Sequence, residues 1–235
     1  MNYAKTIAHD HIVILPSLLA ADIGNLEAGA RKAEAALADG LHVDIMDGHF
    51  VPNLSLGPEV VRMARRCIKL PLSVHLMMSN PERYLERFIT AGADVLLIHA
   101  ELAGDIPGML REIRKLGARP GITLNPKTPA EAVFEALPLA DEVLCMTVHP
   151  GYGGQTFMGE VLPKIKAVRE RIRRVGLKAD ISVDGGIDAE TAQRCAKAGA
   201  NVFIAGTSLY AAPDLAAGVA RMRAAATTAF QTAWP

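Results

Sequence analysis

The sequence predicts an α/β fold of the (β/α)8 TIM-barrel class, built as a single domain over residues 1–235. Three observations carry that prediction. Short apolar runs alternate eight times with longer amphipathic stretches, the number that such a barrel needs. No low-complexity linker or shift in composition divides the chain. Polar residues gather at the C-terminal ends of nearly every apolar run. In a barrel those ends converge on one face, where active sites sit, and this favours the barrel over the alternative, a doubly wound open sheet.

The strands are expected at "HIVILP" (11–16), "LHVDIM" (41–46), "LSVHLM" (72–77), "DVLLIHA" (94–100), "RPGITLN" (119–125), "EVLCMTV" (142–148), "KADISVDG" (178–185) and "NVFIAG" (201–206). Nearly continuous apolar runs of this kind suit parallel strands covered on both faces. Helices are expected near 24–39, 58–67, 81–91, 107–117, 129–137, 159–175, 188–198 and 213–230. "AGAD" (91–94) and "AGAN" (198–201) read as matching helix-to-strand turns, with Gly92 and Gly199 near the helix C-caps.

Lys+Arg and Asp+Glu both count 25, so no charge imbalance points to nucleic acid or to an anionic membrane. The N-terminus lacks the pattern of a signal peptide, and no apolar run is long enough to span a bilayer. Three widely spaced Cys (Cys67, Cys145, Cys195) make neither a disulfide framework nor a C-x-x-C site. Cytoplasmic localisation is the expectation, with a small molecule rather than nucleic acid or membrane as partner. Exposed helix faces on a compact barrel suggest a homo-oligomer.

"HVDIMDGHF" (42–50) places His42, Asp44, Asp47 and His49 in and just after an otherwise apolar strand. Such groups are costly to bury unless paired, hydrogen-bonded or bound to metal. Side chains alternate along a strand, so His42, Asp44 and Met46 share one face and Val43 and Ile45 the other. If the first face is the lumen, His42 and Asp44 meet His75 from the third strand and Asp184 from the seventh. Two imidazoles and two carboxylates suit one divalent cation, zinc first, with manganese, iron or cobalt also accepted. Taken singly, His75 reads as a hydrogen-bonded core histidine and Asp44 as an ion-pair partner; four ligand-type residues at three strand ends point further. Asp47, before Gly48, reads as a turn residue, His49 as a loop residue, and His9 and His11 as surface residues at the wrong end of a barrel. Met46, Met77 and Met146 suit either core filling or a soft wall around a reacting centre.

Glycine makes the second constellation. "HPGYGGQTF", "DGGI" and "AGTSL" follow the last three strands. Gly153, Gly154, Gly185, Gly186 and Gly206 let backbone approach a ligand closely, and consecutive amides in such loops make an anion nest. One such loop is merely a tight turn; three on adjacent late strands favour a phosphate.

Six segments, "LHVDIMDGHFVPNLSLGP", "VHLMMSNPERY", "LNPKTP", "VLCMTVHPGYGGQTF", "DISVDGGI" and "ANVFIAGTS", together resemble the ribulose-phosphate 3-epimerase family from about Ile14 to Tyr210. The resemblance implies interconversion of D-ribulose 5-phosphate and D-xylulose 5-phosphate through a 2,3-enediolate. It implies His42, Asp44, His75 and Asp184 as ligands of one divalent metal, and Asp44 and Asp184 as the two acid/base groups. It also implies substrate contacts from Ser17 and His75, and a phosphate grip from the glycine loops with Thr207 and Ser208. Asn125 and Gln155 sit in matching motifs without an assigned role. Two departures stand out: His149 before "PG", a position that varies, and the segment 99–113, which lacks a His-rich run found in many members. The nearest rival is an allulose-6-phosphate 3-epimerase of the same family; "GYGGQ" and "DGG" favour the pentulose enzyme. A metal-free decarboxylase or lyase barrel would want Lys on an inner strand, and none of the strand ends offers one. A non-catalytic sugar-phosphate sensor is disfavoured by the intact ligand set.

Overall fold

The computed structural model describes residues 10–235. Eight parallel strands form a nearly closed barrel: β1 (Val13–Pro16), β2 (Leu41–Met46), β3 (Leu72–Met77), β4 (Val95–His99), β5 (Arg119–Leu124), β6 (Glu142–Met146), β7 (Asp180–Asp184) and β8 (Val202–Ala205). Each pairs in parallel with its chain neighbour from β2 to β8, and β8 pairs with β1. The ring closes at an isolated parallel bridge between Ser17 and His42, so the first residue past β1 is stitched directly to the first polar residue of β2.

The helices are α1 (Leu26–Ala35), α2 (Pro58–Cys67), α3 (Leu85–Ala91), α4 (Ile106–Lys115), α5 (Leu162–Arg174), α6 (Ala189–Ala198), a short α7 (Thr207–Tyr210) and α8 (Leu215–Ala233). Gly92 and Gly199 end α3 and α6 in left-handed backbone, with φ of 119° and 113°, as the paired turn motifs predict. The helix expected at 129–137 is instead two 3-10 turns, Ala130–Val133 and Leu137–Leu139. Pro138 has no N–H to close an α-turn and disfavours helical backbone at Leu137, and so short a segment gains little from helix propagation. Of the sequence-flagged surface histidines, His11 is exposed beside Asp10, while His9 lies outside the described residues.

Alternation sorts the strand side chains into two apolar bodies. Val43, Ile45, Val74, Leu76, Leu96, Ile98, Val143 and Val183 pack outward under the helices. Val13, Leu15, Val95, Leu97, Leu144, Met146, Val202 and Ile204 fill the lumen. Gly121 is part of that lumen packing, because a Cβ there would fall 2.2 Å from Leu97 Cδ2. At the N-terminal end of the barrel a buried polar network runs from the lumen-facing Arg119 and Asp180 out to Asn201, just before β8, and Arg169 on α5. Arg119 donates to Asp180 at 2.7 Å, Asn201 to Asp180 at 2.8 Å and Arg169 to Asn201 at 2.8 Å. Charges paired and hydrogen-bonded in this way tolerate burial that isolated ones would not. The opposite end of the barrel is left open, and there the same inward-facing register presents His42, Asp44, His75 and Asp184.

Candidate metal centre and active site

Asp44 stands at the middle of the cluster. His42 Nε2 and His75 Nδ1 lie 3.3 and 3.4 Å from its Oδ1, and Ser17 donates to its Oδ2 at 2.7 Å. Donor atoms of His42, Asp44, His75 and Asp184 all fall within 4.8 Å of one another. The two histidines are fully buried, Asp44 is 3% exposed, and Asp184 is half-buried at the cavity wall. Three atoms in this group, His42 Nε2, Asp44 Oδ1 and His75 Nδ1, are buried without a hydrogen-bond partner. Buried polar atoms are seldom left so, and a nitrogen–oxygen set converging on one point is what a divalent cation requires. The donor set therefore fits one such ion.

The other ring nitrogens are held from behind. His42 Nδ1 lies 3.2 Å from Ser73 Oγ. His75 Nε2 lies 2.8 Å from His99 Nε2, and His99 Nδ1 lies 2.9 Å from Glu101 Oε2. Glu101 in turn accepts from the Asn125 backbone N–H at 2.8 Å and from the Thr128 hydroxyl. Only one arrangement of hydrogens satisfies this chain while leaving the His75 Nδ1 lone pair free: His75 donates from Nε2 and His99 donates from Nδ1 to the carboxylate. Phe50 covers the relay, its ring 4.4 Å from that of His99. Phe50 is placed by Asp47, whose carboxylate accepts from the His49 and Phe50 N–H groups and, across to the next loop, from Ser79, all at 2.8 Å. Asp47 is thus the turn residue that the sequence suggests, with an added grip on the loop after β3.

The electrostatics split the two central carboxylates. Burial would raise the pKa of Asp44, but the adjacent His42 and His75 outweigh it and hold the group far below the usual carboxylate range. Burial, joined by the charge of Asp44, pushes Asp184 up to about 7. Burial also drives His75 down to about 4, so its imidazole is neutral and able to ligate. For Glu101, burial works upward, but hydrogen bonds from His99, Thr128 and Asn125 bring it down to about 2. It therefore stays anionic, as an acceptor for His99 must.

A cavity of about 510 Å³ opens above this cluster, lined by Ser17, Asp44, Asp184 and the three methionines Met46, Met77 and Met146. His42 and His75, fully buried, stand behind that lining. The cavity runs on to Gly153, Gly154, Gly185, Gly186, Gly206, Thr207 and Ser208, so both sequence-flagged constellations face one space. Glycine is required at two of these positions. Gly185 and Gly186 have φ of 116° and 63°, and Cβ atoms there would fall 2.4 Å from Val148 Cγ2 and 2.6 Å from the Phe157 backbone nitrogen. Gly153 has open space around it. The Ser208 hydroxyl donates to the Ile187 carbonyl at 2.5 Å, so its hydrogen is already engaged. Gln155 bridges the carbonyls of His149 and Tyr152 and shapes the loop after β6.

The ribulose-phosphate 3-epimerase family model matches residues 13–210. Ribulose-phosphate 3-epimerase from Synechocystis sp. is 42% identical over 91% of this chain and 94% of its own length. The Bacillus subtilis ribulose-phosphate 3-epimerase is 42% identical over 90% of this chain and 98% of its own. The chain belongs to the ribulose-phosphate 3-epimerase family. Among solved structures, thiamine phosphate pyrophosphorylase from Pyrococcus furiosus superposes with a TM-score of 0.64 at 14% identity, covering 94% of this chain and 98% of that one, a likeness of fold alone.

In this epimerase chain, His99 and Glu101 are the site residues that the sequence reading passed over. Their signal is the period-2 pattern of β4, on which Val95, Leu97 and His99 share the lumen face. Replacing Glu101 by Gln is expected to weaken the affinity of the site for a divalent ion by up to roughly 10-fold, the low end of the cost of losing the direct hydrogen-bond partner of a metal-ligating histidine, because Glu101 acts on His75 through His99. Titration of the metal-free variant with zinc or manganese, followed calorimetrically, measures it; unchanged affinity would show that the relay does not orient His75.

Proposed function

We propose that this protein interconverts D-ribulose 5-phosphate and D-xylulose 5-phosphate by moving the proton at C3 between Asp44 and Asp184. The carrying observation is the convergence of four donor atoms within 4.8 Å beside a glycine-lined cavity. The names of the relatives support the substrate. His42, Asp44, His75 and Asp184 would hold one divalent ion, zinc first among several that the set accepts. Bound there, the ion would supply Lewis acidity for the negative charge that builds on the oxygens beside the reacting carbon.

The chain's own residues do the rest. Asp44, kept ionised, is ready to accept a proton from C3 on its side of the substrate. Asp184, across the cluster from it, is placed to hold one and deliver it on the other side. In the reverse direction the roles exchange, so the pair keeps a single proton between them. Ser17, donating to Asp44, fixes which oxygen faces the carbon. Met46, Met77 and Met146 line the reacting end with apolar surface, excluding water that would compete for the carbanion. The backbone of the glycine loops takes the phosphate, and that grip sets C3 between the carboxylates. Purified protein given D-ribulose 5-phosphate should produce the C3 epimer, lose that activity on chelation and regain it when a divalent metal is returned. Epimerisation that survives complete removal of metal would overturn the four-ligand assignment.

A further inference from the structure

Arg194 is the one Lys or Arg among the residues lining the cavity. It rides on α6, whose start is fixed by a reciprocal cap between Asp188 and Thr191. Its guanidinium carbon stands 5.0 Å from the centre of the Phe157 ring, a cation–π contact that favours a set position for a long side chain. Gly159 makes room for it, because a Cβ at that position would fall 2.8 Å from Arg194 Nη2. Phe157 itself packs against Gly186, where a Cβ would fall 2.8 Å from the Phe157 Cα. Gly186, Phe157 and Arg194 therefore stack in series at the glycine-rich end of the cavity. Other arginines on the barrel are spent on acids: Arg65 on Asp94, Arg114 on Asp141 and Arg223 on Asp39. Arg194 takes part in none of the ion pairs among the described residues. Glu190, the acid in the first turn of the same helix and one turn before Arg194, makes no ion pair with it among the described residues, and Asp188 is turned to its cap.

A sugar phosphate brings nearly two negative charges into a cavity that already contains Asp44 and Asp184. Backbone amides give such a group hydrogen bonds but no full positive charge. We propose that Arg194 is the counter-charge for the substrate phosphate, a binding residue that sets affinity for phosphorylated over unphosphorylated ketoses without taking part in proton transfer. Resting on the reading of the glycine loops as the phosphate end, the assignment adds a side chain to what is otherwise a backbone site. A planar guanidinium is suited to this work, since it presents several donors to phosphate oxygens in a fixed fork.

The test is the kinetics of Arg194→Gln and Arg194→Lys at low ionic strength, with inorganic phosphate as a competing probe. For Arg194→Gln, KM for D-ribulose 5-phosphate and the inhibition constant of inorganic phosphate should both rise roughly 3- to 30-fold, between the worth of an exposed ion pair and that of a hydrogen bond to a charged group. The kcat should stay within about twofold, the dependence of KM on added salt should flatten as a lost charge requires, and Arg194→Lys should recover part of the difference. Turnover of D-ribulose itself should be the same in wild type and variant. Changes in KM and in phosphate inhibition both below about threefold would overturn the assignment, as would an equal loss on the unphosphorylated sugar. Wild-type protein that inorganic phosphate does not inhibit would instead reject the glycine-loop reading on which the assignment rests.

Discussion

Asp184→Asn is expected to lower kcat for epimerisation by roughly 10²–10⁴-fold, the usual worth of a positioned proton-transfer group. Asn keeps the shape of the side chain and one oxygen toward the cluster, but can neither hold nor release the proton that the proposed scheme assigns to Asp184. The variant should also separate two reactions that are joined in the wild type. Asp44 keeps its contacts with Ser17, His42 and His75, so it should still remove and return a proton on its own face. In deuterium oxide one of the two epimers should therefore exchange its C3 hydrogen without inverting, a result that NMR reads directly. Asp44→Asn should give exchange from the opposite epimer, with metal content falling as well because Asp44 is central to the cluster. Epimerisation by Asp184→Asn within about tenfold of wild type would end the two-carboxylate scheme.

D-Ribulose without its phosphate should be a poor substrate, with kcat/KM lower by at least roughly 10²–10³-fold, because binding energy from a remote group positions the reacting carbon and modest misplacement alone costs about 10²-fold. The physical basis is that the cavity joins two ends of different character. One end holds the carboxylates and methionines, the other bare backbone at Gly185 and Gly186, where any side chain would collide with Val148 or Phe157. Steady-state assays on both sugars with the metal-loaded protein decide the point. Comparable kcat/KM for the two would mean that the glycine loops are turns and nothing more.

How much of this the sequence disclosed depends on how local each signal is. Strand parity is local, and the inward face it assigns to His42, Asp44, His75 and Asp184 is the one on which their donor atoms converge, because a barrel forces all inward side chains into one narrow space. Glycine clusters are local too, although the requirement at Gly186 and the open surroundings of Gly153 look alike in one dimension. The period-2 pattern of β4 turns His99 into the lumen, but its partners, His75 across the strand pair and Glu101 just past the strand, are set by contacts that spacing alone does not assign. Arg194 escaped notice for a like reason: on a helix pattern it is one more polar residue, and only its neighbours Phe157 and Gly159 give it direction. The failed helix at 129–137 was legible in part, for Pro138 stands beside the stretch that was assigned to it.

The apolar packing of the lumen, with the buried pair Arg119 and Asp180 at its far end, makes the barrel a blind well rather than a tunnel. Such a shape suits a reaction in which nothing is added and nothing departs. Reactant and product have the same atoms, the same anchor and the same overall size, so a single doorway can serve arrival and departure in both directions.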